Sequence, residues 1–299
     1  MRVRGRHFCM LKIVRQGRTA VYPGRTGYGG IMPERITSRD NAKIKYACKL
    51  AQSAAFRNEE KAFLAEGIKL CPELAKGCPL KVIYYTDKAL EKSPALARLP
   101  GEHYLVEPHV AQKLAQVDSS QGVFAVFGIP EAGWDVLEDA LSAKPGKARF
   151  LALERVQDPG NVGTLIRSAA AFGFDAVLLS QGCASPWSPK TLRSSMGAAA
   201  RIPVVEVGDM PAAVTRLRQQ RVVTLAAALY NSTPLGDGTW QQDGAAGLCV
   251  VVGSEGQGLS EATVLACDRA VRIPMTDRVE SLNAGVAGSV LLWQFRGDV

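Results

Sequence analysis

The sequence predicts an α/β protein built from two units, a parallel-sheet domain over 150–299 and a smaller α/β domain over 32–130. Three observations predict it. From Phe150 onward, apolar strand-like runs alternate strictly with helix-like runs, as in a parallel sheet covered on both faces. Between 36 and 130, β-branched and aromatic runs mix with amphipathic stretches. The stretch PEAGWDVLEDALSAKPGKAR (130–149) differs from both: it has Pro and Gly near each end and an amphipathic middle, so 131–149 reads as a linker carrying a short helix.

Taken in order, Thr37 or Ser38 is placed to cap a helix through NAKIKYACKLAQSAAF. VIYYT (82–86), YLVE (104–107) and VFAVFGI (123–129) read as strands, and GIKLCPELAKG and HVAQKLAQV as helices between them. In the second unit the strands are RFLALERV, DAVLLS, IPVVEV, VVTLAAAL, LCVVVG and RAVRIP. The helices are GNVGTLIRSAAAFG, KTLRSSMGAA, MPAAVTRLRQQ and SEATVLA, and the last is VESLNAGVAGSVLL (279–292). That final stretch opens with Glu280, Ser281 and Asn283, then turns small and apolar. Ser and Asn side chains take up free backbone N–H groups at helix starts.

At 299 residues, with 47% hydrophobic and 21% charged residues, the chain has material for two ordinary cores. It holds no apolar run of the ~18–20 residues a membrane span needs. Seven scattered cysteines with no C-x-x-C pair read as reduced thiols of a cytoplasmic protein. His7, His103 and His109 form no zinc set with them, so no metal is expected. The net charge of +8 is a property of the N-terminus: residues 1–31 carry seven bases and no acid, whereas the other 268 residues hold 29 bases and 28 acids. That tail has no apolar periodicity and no secretory core, and is expected to be a disordered basic arm, whether translation starts at Met1, Met10 or Met32. Any case for nucleic acid therefore rests on local patches.

Ligands of parallel sheets bind beyond the carboxyl ends of the strands. Three polar segments leave such ends: QDPGNVGTLIR (157–167), GSEGQGLS (253–260) and IPMTDRVESLN (273–283). The first has glycines for a tight turn and a helix N-terminus that offers N–H groups to an anion. Asn161 and Arg167 lie six apart within it. The second places Glu255 between two glycines, without the Lys-Ser/Thr of a phosphate loop or G-x-G-x-x-G spacing. Taken singly, the first segment is equally served by a cap and a surface Arg, and for the second and third an ordinary turn and cap is the favoured reading. Their order, N-x5-R, then G-S-E-G-x-G-L-S, then I-P-M with E-S-L-N, is specific.

In that order the chain resembles the SpoU/TrmH-family RNA 2′-O-ribose methyltransferases of the SPOUT superfamily, over about 150–296. Residues 35–130, with FLAEGIKL and DSSQGVFAVF, resemble the ribosomal-protein-like substrate-binding domain of rRNA methyltransferases in that family. The resemblance implies a C-terminal trefoil knot, S-adenosylmethionine as cofactor, an RNA substrate, rRNA before tRNA, and a homodimer. It carries Asn161, Arg167, Glu255, Ser281 and Asn283 over as catalytic residues. It places the donor against Ala227, Ala228, Gly253, Ser254, Glu255, Gly256, Ile273, Met275, Ser281 and Leu282. Arg167, Arg193, Arg57 and Lys43 are candidate RNA contacts, with Arg201 beside them, and the solvated helix face stays an equal reading for Arg193 and Arg201. Val286, Val290, Leu291, Trp293 and Phe295 are expected against the sheet and a partner subunit. Two alternatives stand beside this: a catalytically idle RNA-binding protein on the same scaffold, and a tRNA 2′-O-methyltransferase. A nicotinamide-binding Rossmann enzyme is disfavoured by the missing glycine fingerprint.

Overall fold

The computed structural model describes residues 33–236, 240 and 244–297. The basic tail expected over 1–31 lies outside them.

The front unit is a five-stranded mixed sheet. Its strands are β1 (Glu34–Ile36), β2 (Ala62–Glu66), β3 (Leu80–Tyr85), β4 (Glu102–Val106) and β5 (Val123–Gly128), in the order β1-β4-β3-β5-β2. β1, β4 and β3 run parallel, whereas β5 is antiparallel to both β3 and β2. Side chains alternate across this sheet. Leu64, Tyr84 and Val126 meet α1 (Ala42–Gln52) and α5 (Pro108–Leu114) on one face. Phe63, Ile83, Tyr85 and Phe127 look the other way, toward α3 (Leu70–Leu74).

The helix expected from Thr37 or Ser38 is two helices. Asn41 caps α1, accepting from Lys43 N, and Ser53 ends α1 and caps α2 (Ala54–Glu60), accepting from Phe56 N. Strands β1 and β2, and helix α4 (Asp87–Lys92), are additions to the sequence reading.

In the second unit seven parallel strands follow the order β10-β12-β9-β11-β6-β7-β8. These are β6 (Ala148–Leu153), β7 (Ala176–Ser180), β8 (Val204–Val207), β9 (Val222–Ala227), β10 (Thr233–Pro234), β11 (Gly247–Val252) and β12 (Arg269–Arg272). Helices α7 (Pro159–Ala171), α8 (Pro189–Ser195) and α11 (Ala284–Gln294) cover one face. α6 (Asp135–Ala143), α9 (Met210–Gln219) and α10 (Glu261–Ala266) lie on the other. The segment 131–149, expected as a linker with a short helix, contributes to this core: Leu137 of α6 is fully buried and Trp134 lies under Arg216, 4.2 Å away. Its last residues already belong to β6.

One hydrophobic cluster runs through both units. Trp187, on the loop before α8, stacks on Phe63 of β2 at 4.9 Å, and Phe63 stacks on Phe127 at 5.4 Å. Gly77 faces Ala200 so closely that a Cβ there would sit 1.8 Å from the Ala200 carbonyl oxygen. Arg201 pairs with Glu73 across the same joint.

Candidate active site

Because β12, β9, β11 and β6 are neighbours and parallel, the segments leaving their carboxyl ends share one edge of the sheet. Chain ends of this kind gather polar groups from distant parts of the sequence.

After β6 the chain turns into α7. Asp158 caps that helix, accepting from Asn161 N at 3.0 Å, and Pro159 occupies the first helical position, where a missing N–H costs nothing. The Lys190 ammonium, 2.8 Å away, together with that backbone N–H, holds the Asp158 carboxyl below the usual carboxylate range. Asn161 thus sits in the first turn of α7. Its Nδ2 donates to Glu255 Oε1. This bond fixes the amide's orientation and leaves Asn161 Oδ1 toward α11, where it lies 2.9 Å from the position a Cβ of residue 285 would take.

Asn283 caps α11, accepting from Val286 N at 3.2 Å, and its Oδ1 lies 3.1 Å from that same point. Gly285 therefore lets the two amide oxygens close on the start of α11. A Gly285→Ala variant is expected to push one amide aside and lower methyl transfer roughly tenfold with little change in melting temperature. Tritiated-methyl incorporation into RNA beside a thermal melt measures both, and full activity in the variant would show that this placement is immaterial.

Three of the five expected catalytic residues, Asn161, Glu255 and Asn283, are therefore brought together. The other two are not. Ser281 is exposed in the segment ahead of α11. Arg167 is exposed on α7, about 120° around the axis from Asn161, because six residues at 100° each overshoot one turn.

Of the candidate RNA contacts, Arg57 is corrected. It is 5% exposed, and its Nη1 donates to the carbonyls of Leu50 and Ala51 at the end of α1, so the side chain satisfies a helix C-terminus. Lys43 is half-exposed, pairs with Glu102 at 3.2 Å and lies over the Tyr104 ring. Arg193 is partly buried, with Nη1 lacking a partner, and Arg201 is tied to Glu73.

Glu154 was missed by the sequence reading. It directly follows β6, is 5% exposed, and accepts from Ser260 N at 2.8 Å, Ser260 Oγ at 2.8 Å and Thr263 Oγ1 at 2.9 Å. One buried carboxylate thus anchors the downstream end of the 253–260 loop. The same loop is pinned at its centre by Ser254 and Gly258, each donating its N–H to the other's carbonyl. Gly253 has no room for a side chain: a Cβ would fall 2.2 Å from the Gly258 carbonyl carbon.

The expected donor residues line this edge. Ala227 ends β9, Ala228 N donates to Val271 O, and Ile273 and Met275 follow β12. A Cβ at Gly256 or Gly258 would meet nothing within 4 Å, and Leu229, Met275 and Leu282 stand exposed nearby in sequence on the same loops. Main-chain groups beside exposed apolar side chains fit a flat adenosyl group with a charged tail. Among the described residues no three His, Cys, Asp or Glu side chains gather as a metal site, and no helix is long and apolar enough to cross a membrane.

Comparison with known proteins decides the family. Residues 148–293 match the SpoU rRNA Methylase family, and residues 41–125 match the MRM3-like substrate binding domain. The 23S rRNA (guanosine(2553)-2′-O)-methyltransferase RlmP of Bacillus subtilis is 31% identical over 88% of this chain and 100% of its own length. The chain belongs to the SpoU rRNA methylase family. A second relative, an uncharacterised tRNA/rRNA methyltransferase of Synechocystis sp., is 34% identical over 87% of this chain and 93% of its own. Among solved structures, the AdoMet-bound rRNA methyltransferase from Sinorhizobium meliloti superposes with a TM-score of 0.73 at 26% identity, over 88% of this chain and 97% of that one. The SpoU methylase fold expected from the sequence, a parallel sheet behind a smaller substrate-binding unit, is the fold observed, and S-adenosylmethionine is the methyl donor of this enzyme class.

Proposed function

We propose that this SpoU methylase transfers a methyl group from S-adenosylmethionine to a ribose 2′-hydroxyl of rRNA, acting in the cytoplasm as a homodimer. The joining of Asn161, Glu255 and Asn283 at the carboxyl edge of the sheet carries this reading. When bound, S-adenosylmethionine supplies a sulfonium methyl open to displacement by an oxygen nucleophile. The protein's own task is to place that oxygen in line and stabilise its developing charge. Positioning alone is worth up to ~7–11 kcal/mol.

Asn161 Oδ1 and Asn283 Oδ1 offer two adjacent acceptors for a ribose hydroxyl proton, and Glu255 keeps the Asn161 amide from flipping. Ser281, a few residues ahead of α11, adds a hydroxyl from the loop. Arg167 grips a neighbouring phosphate through its planar fork and steadies negative charge at the nucleophile, since a delocalised guanidinium is a poor base. The donor lies along 227–228, 253–256 and 273–275, with Ser281 and Leu282 closing over it.

The dimer is supported by α11. Val286, Val290 and Trp293 are 50%, 39% and 54% exposed, at spacings of four and three that form one apolar stripe. A symmetric pairing would cover it. Sedimentation at low micromolar concentration should give twice the chain mass, and Val290→Glu should give single chains; a wild-type protein that sediments only as single chains would refute the pairing. The trefoil knot is supported by the chain's path: after β11 it returns as β12 beyond β9, then comes back as α11 against α7 and β11. Cytoplasmic residence is supported by the six cysteines of the described residues, all unpaired. Burial pushes the Cys78 and Cys267 thiols up to about 12, which keeps them inert.

Mapping 2′-O-methylation across total RNA from cells lacking the protein tests the function. Loss at one or a few rRNA positions is expected. Loss confined to tRNA would favour the tRNA alternative, and an unchanged map would favour the idle RNA-binding protein.

A further inference from the structure

A cleft of about 910 Å³ opens in the front unit, apart from the motif residues. α4 supplies Lys88 and Lys92 to one wall, α5 supplies Gln112 and Lys113 to the other, and the loop after α5 adds Gln116 and Asp118. Three lysines thus face one acid.

Three of the neighbouring acids are already paired, and Glu91 of α4 does not line the cleft. Asp87, at the start of α4, and Glu107, just ahead of α5, are both taken by Arg35, at 2.8 and 3.1 Å. Asp40, close enough to Lys113 to feel its charge, is paired with Lys45 at 3.1 Å. Lys88 and Lys92 are exposed, one helical turn apart on the same face, and neither ammonium bonds to a described residue. The Lys113 ammonium donates to the Arg39 carbonyl, so its charge meets no carboxylate directly.

The lining also selects the ligand. Pockets for drug-like molecules are mostly apolar with a few polar groups. Here amides, hydroxyls and ammonium groups dominate. Gln112 accepts from Arg39 through its oxygen and keeps its N–H donors, whereas Gln116 donates to the Leu114 and Ala115 carbonyls and keeps its oxygen. A groove that offers cations beside both donors and acceptors matches a chain of phosphates and hydroxylated sugars. The two front-unit cations first expected on RNA are already engaged, Arg57 on α1 and Lys43 on Glu102.

We propose that the α4–α5 cleft holds the sugar–phosphate backbone of the RNA, with Lys88 and Lys92 on phosphates and Gln112 and Gln116 toward ribose hydroxyls. This rests on the rRNA reading above. The test is filter retention of a 23S rRNA transcript over a KCl series by the full-length protein and by the double variant Lys88→Glu/Lys92→Glu. Both side chains are exposed and unpaired, so the variant should melt like the wild type and bind S-adenosylmethionine equally well. Its rRNA affinity should fall roughly tenfold or more at low salt, and its slope of log affinity on log salt should flatten by about 1.5, as for two lost phosphate contacts. Lys88→Gln/Lys92→Gln should show the same slope change with a smaller loss. Wild-type retention with an unchanged double variant overturns the cleft alone, whereas a wild-type protein that retains no rRNA overturns the rRNA reading and the cleft with it.

Discussion

Arg167→Ala is expected to lower methyl transfer by well over tenfold, a cost above ~1.4 kcal/mol at the transition state, while leaving S-adenosylmethionine affinity within about twofold. The structure sharpens this expectation. Arg167 is exposed, bonds to no described residue and lies on a different side of α7 from the Asn161–Glu255 bond. Its removal therefore disturbs neither the helix nor the gathered amides, and any loss is a loss of contact with RNA or with the reacting oxygen. Arg167→Lys should fail nearly as badly, because an ammonium cannot reproduce a two-point grip on phosphate. Calorimetric titration of the donor beside tritiated-methyl incorporation separates the effects. Weakened donor binding, or a rate above a tenth of wild type, would remove Arg167 from the role proposed for it.

The second large effect is expected at Glu154. Alanine there strips three donors of their acceptor in a buried setting, the Ser260 N–H and the Ser260 and Thr263 hydroxyls. Leaving such groups unmet should cost about 3 kcal/mol in total, or roughly 10 °C in melting temperature for a domain of this size. The 253–260 loop loses its anchor at the same time, so donor affinity should drop with it. Glu154→Gln retains one carbonyl oxygen for Ser260 N and an amide that can donate to the hydroxyl oxygens. It should recover much of the stability and part of the donor affinity. Scanning calorimetry and donor titration of both variants would test this; an alanine variant that melts and binds like the wild type would show that the loop holds itself.

Much of the second unit was legible in the sequence because its signals are local. Strict alternation of apolar strands and helices, and Asn283 among the polar residues that open α11, declare themselves within a few residues, whereas the Asp158 cap of α7 was not singled out. The front unit was less legible where tertiary pairing overrules local preference. Ala62–Glu66 is AFLAE, rich in helix formers, yet it is a fully buried strand because β5 supplies its antiparallel partner. Ser53 splits one amphipathic run into two helices, and nothing in the periodicity announces it. At the site, the motif order identified Asn161, Glu255 and Asn283 as a group. It could not reveal Glu154, whose partners lie 106 and 109 residues downstream. Arg57 looked like a surface cation in the sequence, and only the fold shows it turned back onto the α1 carbonyls.

The stacked column of Phe127, Phe63 and Trp187 makes the joint between the units a permanent fixture. Cutting the chain there would leave Trp187 bare on the catalytic half and Phe63 bare on the other, each an adhesive patch in water. The two halves are thus poor candidates for separate expression, and chimeras that exchange the front unit must bring along a ring to receive Trp187. Heat should melt the intact chain in a single cooperative endotherm. With that joint closed, the distance from anchored RNA to the reacting hydroxyl is built into the molecule as a fixed span, so the choice of nucleotide becomes a matter of measured length as well as of local sequence.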